Sequence, residues 1–443
     1  MLKDSQGLEV TTNSSNAIAA IDCFVQQSLS YGDDAETILS AITADPKCAI
    51  AYAHAAAHYL SLESASARRQ ACLYLKAAKK YLATATEREQ LYIWAIDAWA
   101  KGATGSAIAY HEEIADKFPR DLVSVQRGQY HYFYLGNKEG LLHIAQKVLP
   151  ASLENHYLHG MVAFGLEQCH QLKEAEAVGR RALQMNRQDP WAQHAVAHVM
   201  ESQGRVDEGI AWMSSFADTW ENCNSMLYTH NWWHIALYYL EKADIKQVLE
   251  LYDYHIWGKA WQESSKDQVG AISLLLRLEL RGIDVGDRWE QLVPYLTVRI
   301  HEHALPFQDL HYVYALARAG KVELVNEMLF SMQAYTRKAS LHLQKTWIEV
   351  ALPAARGMAS HARRDWEKVI TQLSPILSRL HEIGGSHAQR DLFEQVYLDA
   401  WLHLEQNHQA LQILEKRVAA RRYIAAMQRS IAQNSNIGLL WVS

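Results

Sequence analysis

The sequence predicts an all-α chain of repeated antiparallel helix pairs, and three observations predict it. Helix breakers are scarce: 21 Gly and 8 Pro in 443 residues, where average usage would give roughly 31 and 22. Ala-rich stretches such as 50–58 favour helix intrinsically. The chain also repeats its own pattern at a near-constant interval, as stacked helical pairs do. With 49% apolar residues there is ample material for a core.

The elements follow in order. Glu167, Glu201 and Glu241 each close a helix of similar pattern, and Gly160, His194 and His234 stand seven residues before them. A second helix follows each, at 173–185, 206–219 and 245–254. Ala175 and Gly209 occupy one small-residue position 34 apart, the tetratricopeptide period, in which a small residue lets two antiparallel helices approach closely. Ala107 precedes Pro119 at the small-residue-to-proline spacing of such a unit. Later spacings stretch to about 40, so the repeats are degenerate. Further helix pairs read at 45–82, 86–117, 122–148, 268–295, 308–334, 341–380 and 389–422. The fold class expected is therefore all-α, an α-α superhelix of degenerate tetratricopeptide-like helix pairs, right-handed and of roughly ten pairs. No linker rich in Gly, Ser or Pro interrupts it. Residues 1–15 are expected to fray, 16–433 to form one helical-repeat superhelix, and the apolar tail 434–443 to dock on its own chain or across a homodimer.

Composition narrows the partners. A formal net charge of -6 and the lack of a basic run argue against nucleic acid. No apolar run reaches the roughly 18 residues of a membrane span, and the polar start, with Asp4 and Glu9, lacks the apolar core of a secretory signal. Cys23, Cys48, Cys72, Cys169 and Cys223 are odd in number and scattered. They read as reduced thiols in a cytoplasmic, disulfide-free protein.

The most informative side chains are histidines. At about 100° per residue, His194, His198 and Glu201 lie within roughly 60° on one helix. His230, His234 and Glu241 repeat the arrangement on the next first helix. Ala192, Ala195, Val196 and Val199 back the first row, and Trp232, Ile235, Ala236 and Tyr239 the second. The shared offset of seven predicts that His194 and His234 approach one another across a polar, histidine-lined surface. Imidazoles at i and i+4 chelate one metal, and a carboxylate one turn on completes a triad. His194, His198, Glu201, His230 and His234 are thus the candidate ligands of a divalent metal. The same four histidines are the candidate acid–base groups. Against the metal stands the recurrence of the spacing at His54 and His58, which suits a repeat position that tolerates His for packing. The plain structural alternative is a polar inner wall facing water.

A second constellation follows Gly384-Gly385. Ser386 reads as an N-cap with Gln389 completing a capping box. The same helix start offers N–H donors to an anion, with His387, Arg390 and Asp391 close by. Arg390 and Asp391 also suit a plain internal ion pair. The turn is expected to face the histidine helices and to hold a small acidic molecule. Trp191, Trp232 and Trp233 cluster near the histidines, with Asn231 between the second pair. Nucleotide-loop, nucleophile-elbow and His-Glu-x-x-His motifs are absent.

Several stretches resemble the tetratricopeptide repeat protein 38 family. They are Arg88-Glu89-Gln90-Leu91, Tyr132-Phe133-Tyr134-Leu135-Gly136, the run from Gly160 to Glu167, the run from Asp189 to His198, His230-Asn231-Trp232-Trp233-His234, and Gly384 to Asp391. They come in family order across nearly the whole chain, with His387 where the family has Asn. The resemblance implies an irregular α-α superhelix and supplies no activity. The residues themselves leave three readings. In the first, a concave, His- and aromatic-lined cavity binds a small molecule or peptide segment. In the second, an enzyme uses the His cluster for acid–base or metal-assisted chemistry. In the third, the chain is a pure protein–protein scaffold.

Overall fold

The computed structural model describes residues 1–421, so the tail 434–443 and the dimer contact read from it lie outside the described residues. The chain is all-α, a succession of tetratricopeptide-like antiparallel helix pairs. Leu2–Lys3 and Glu9–Val10, paired antiparallel, are the β-strands among the described residues.

One turn geometry explains the repetition. The first helix of each pair ends just before a residue in the left-handed region: Gly102, Gly136, His170, Gly204, Ala243, Gly282, Gly320, Arg364 and Glu405. The first four stand 34 residues apart and the later ones 38 to 44 apart, which is the stretch that the sequence showed. At each turn the N–H of the next residue reaches back to the carbonyl five positions earlier. Examples are Asn137 to Tyr132, Gln171 to Leu166 and Arg205 to Met200, all 2.9 Å. This bond satisfies a carbonyl that a helix end would otherwise leave bare. Asn137, Asp244 and Asp365 follow their turns directly and cap the second helix through their side chains.

Small residues then decide how closely two helices pack. A Cβ on Gly165 would meet the Leu142 backbone at 2.8 Å, and one on Gly179 would meet Val196 at 2.6 Å. Ala175 is fully buried. Around it, Leu141, Ala163, Phe164 and Ala195 form a core cluster, with Tyr132, Phe133, Val178 and Trp191 against it.

The described chain forms two compact units. The first comprises Met1–Val196 with Phe216–Leu227, and the second Ala197–Ser215 with the chain from Tyr228 onward. The division passes through helix Pro190–Gln203, where the sequence has no breaker and marks no boundary.

Residues 1–15, expected to fray, are instead anchored in the first unit. Val10 is fully buried. The buried Arg88 guanidinium donates to Asp121 at 3.0 Å and to the Glu9 carbonyl at 3.2 Å, with Asp4 at 3.9 Å. Buried Glu89 completes a capping box with Thr86 and accepts from the Thr11 N–H at 2.9 Å. A polar leader was read as loose, but its polarity is matched to a buried ion pair and a helix cap.

Gly209 offers the sharpest packing test. A Cβ there would lie 2.3 Å from the Tyr238 ring, which is buried and pinned by a 2.6 Å bond from its hydroxyl to the Ala197 carbonyl. Ala is the better helix former by about 1 kcal/mol, yet Gly209→Ala is expected to destabilise by about 1–3 kcal/mol through overpacking. Urea unfolding of the two proteins reads the sign directly.

Candidate functional site

The site is built on two helices, Pro190–Gln203 and Ser225–Glu241. Asp189 opens the first by accepting the Trp191 and Ala192 N–H groups at 3.1 and 3.0 Å. Asn224 opens the second by accepting the Leu227 N–H at 3.1 Å. His198, His230 and His234 belong to the second unit, and His194 sits one turn before His198 on the same helix. One ring nitrogen from each of the three second-unit histidines lies within 4.8 Å of the others. The centroids of His198 and His234 are 4.5 Å apart, and those of His230 and His234 are 4.8 Å apart.

The setting differs from an open polar wall. His194, His198, Asn231 and His234 are all at most 1% exposed, because both faces of these helices are covered. Ile235 and Ala236 are buried as expected, whereas Trp232 and Tyr239 are only half-buried and Trp233 takes the interior place. Histidine and apolar side chains therefore share one buried environment rather than opposite faces.

Burial sets the charge. Loss of hydration holds His198 and His230 well below the usual imidazole range, and the nearby His234 pushes both further down. His234 is lowered to about 3 by burial and then by the Arg277 cation. His198, His230 and His234 are therefore neutral near pH 7, the form in which imidazole binds a metal. Glu201 is not among the converging groups. Its Oε2 accepts the Nδ1–H of His234 at 3.1 Å. That bond fixes the tautomer and leaves Nε2 with a lone pair, as outer carboxylates do for metal-bound histidines. The carboxylate read as a ligand from its own helix instead orients a histidine of the next repeat. Glu241 ends the second helix half-buried.

The Gly384–Asp391 turn belongs to the second unit and lies near this cluster, since the charge of His387 acts on His198. Ser386 and Gln389 form the expected capping box. Gly384 and Gly385 take φ of 87° and 88°, and a Cβ on Gly385 would strike the Phe307 ring at 2.8 Å, so only glycine fits there. Arg390 donates to the Gly385 carbonyl and lies 3.5 Å from His387 Nδ1. Asp391 accepts from Gln395 at 2.6 Å.

Arg277 is the group that sequence reasoning missed. It is 2% exposed, lies over the Trp233 ring at 5.3 Å and donates to the Ala388 carbonyl at 2.6 Å, linking turn and helix. A lone cation in Ser-Leu-Leu-Leu-Arg-Leu was the available signal. Asn231 adds a second feature, for both polar atoms of its fully buried amide lack a hydrogen-bond partner. In the first unit Trp191 stacks between Tyr31 at 4.9 Å and His194 at 4.7 Å. His54 and His58 diverge. His54 packs between Phe24 and Tyr92, whereas His58 approaches Glu36. All five cysteines are free thiols. Among the described residues no helix is long and apolar enough to cross a membrane.

No protein-family model matches the chain. In structure it is similar to a Rap protein complexed with competence and sporulation factor, with 14% identity, 76% of this chain and 99% of that one covered, and a TM-score of 0.44. It is also similar to the human IFIT1 dimer with m7Gppp-AAAA, with 14% identity, 95% and 98% covered, and a TM-score of 0.37. At such identity and superposition these likenesses carry no ligand or activity over to this chain.

The neutral histidines make stability depend on pH. The folded pKa of His234 is depressed from 6.5 to about 3. Below pH 6.5 the unfolded chain gains a proton that the folded chain refuses. Its contribution is full above that pH and is lost at about 1.4 kcal/mol per pH unit on acidification. Urea unfolding in EDTA between pH 7.5 and 5 is expected to show falling stability. His234→Gln should flatten the slope by about that amount per unit.

Proposed function

We propose that the second unit binds one divalent transition-metal ion through His198, His230 and His234, with His194 available from the same helix, and that this centre holds a small molecule. The observation that carries the reading is the convergence of three neutral imidazoles, those of His198, His230 and His234, on one point of the second unit. Tetrahedral coordination with metal–nitrogen bonds near 2.0–2.1 Å separates ligand nitrogens by about 3.4 Å. An all-imidazole donor set with no thiolate suits zinc, copper, nickel or cobalt and not calcium or magnesium. The Glu201–His234 bond supports the assignment, because it directs one ligand nitrogen inward.

Arg277, His387 and Arg390 bring basic groups to the same unit, which supports an acidic group on the small molecule. The chain is further read as a member of the tetratricopeptide repeat protein 38 family, on the stretches that resemble it. It is also read as cytoplasmic, where free thiols persist.

Elemental analysis of protein loaded with zinc and desalted is expected to give one ion per chain. His198→Ala and His234→Ala should each abolish stoichiometric binding while leaving the helical signal intact. Glu201→Gln should weaken binding by about 10–100-fold. A wild-type chain that retains no metal would overturn the reading.

Catalysis is the second reading, and His194 decides it. Its ring is stacked on Trp191 with planes 27° apart. If that stack holds it back, three histidines bind and a fourth position stays open to water or substrate. Azide should then alter the visible spectrum of the cobalt-loaded protein. A closed four-histidine sphere leaves that spectrum unchanged.

A further inference from the structure

The first unit holds a second polar cluster, remote in chemistry from any metal. It centres on Arg127, in helix Leu122–Tyr134. Arg127 is half-buried, its Nε is buried without a hydrogen-bond partner, and no carboxylate of the described residues forms an ion pair with it. Its charge acts on His54, Tyr92, His111 and His131 together. All four are at most 2% exposed. Each also carries a polar atom with no hydrogen-bond partner: His54 Nδ1, the Tyr92 hydroxyl, His111 Nε2 and His131 Nε2.

These groups form one contiguous set. Ring centroids of Tyr92 lie 4.7 Å from His54 and 6.1 Å from His111, and His111 lies 5.6 Å from His131. The Tyr92 hydroxyl lies beside Arg127, close enough for a weak hydrogen bond but outside strict hydrogen-bond geometry. His111 is oriented by a 2.8 Å bond between Nδ1 and Ser124 Oγ. The neighbouring cation, Arg88, is already neutralised by Asp121 and Asp4. Natural proteins seldom leave so many buried polar atoms unpartnered in one place.

We propose that this cluster is a binding site for a small organic monocarboxylate, held by the Arg127 guanidinium with N–H and O–H donors from His111, His131 and Tyr92. A guanidinium fork matches the two oxygens of a carboxylate. A single uncompensated cation balances one negative charge, so a phosphate dianion would bury a second charge without a partner. Phe24 packs on His54 at 4.9 Å and Trp99 on His131 at 5.1 Å, so an organic acid held there would meet aromatic rings.

The test is thermal unfolding and titration calorimetry of the full chain at pH 7.5 and constant ionic strength. Sodium acetate, benzoate and inorganic phosphate are the probes, with EDTA present so that no metal centre contributes. Acetate or benzoate is expected to raise the melting temperature with dose and to saturate, whereas phosphate is not. Arg127→Gln should weaken binding of the carboxylate at least tenfold. Should that variant fail to fold, His131→Phe, which keeps the aromatic stack, is expected to weaken it several-fold. Silence from all three anions means that water alone serves these groups and overturns the proposal. So does a response to phosphate equal to that to carboxylate, or an undiminished response in the variant that folds.

Discussion

Much of the buried polar chemistry among the described residues follows from one constraint: the first helices of the pairs are covered on both sides, so a group buried there is stabilised by being neutral, paired, capped or bound to a ligand. Imidazole is the side chain that meets this demand by shedding its proton. Burial drives His198, His230 and His234 to the neutral form in one unit, and His54, His111 and His131 in the other. Charged groups meet it by pairing. Arg88 with Asp121, and Arg318 with Glu279 at 2.6 Å, sit on the same kind of helix. The abundance of histidine in the sequence is in part the consequence of building an interior from helices that have no dry side.

The two units answer the constraint differently. In the second, imidazoles converge on each other, and a carboxylate one repeat away sets a tautomer. That arrangement is what the proposed metal site uses. In the first, imidazoles and a phenol gather around a guanidinium with which no carboxylate of the described residues forms an ion pair, and the proposed carboxylate site rests on that. The same residue type therefore suits opposite chemistries in the two units. What differs is the partner that the neighbouring helix brings.

The stretches that carry the family resemblance divide along similar lines. Arg88 and Glu89 are structural, tying the N-terminal strands and a helix cap together. Gly136 supplies the left-handed turn, and Gly385 leaves room for Phe307. The Asp189-to-His198 and His230-to-His234 runs hold the histidines. A resemblance spread over the whole chain thus mixes residues needed to fold with residues able to bind.

The sequence by itself determined the helical class, the pairing of helices and the period, because each turn is local. A small residue at fixed spacing leaves its mark within one repeat, so the Ala175–Gly209 position was readable. It also placed the histidines on shared stripes, and the capping box at Ser386. Tertiary structure alone decided that those stripes are buried, since helical periodicity tells which residues share a face and not how many neighbours cover it. It decided that Glu201 serves the next repeat's histidine, that the polar N-terminus answers Arg88, and that Arg277 and Arg127 stand where they do. Each of these depends on contacts between residues some 30 to more than 100 positions apart, and no spacing along the chain encodes them.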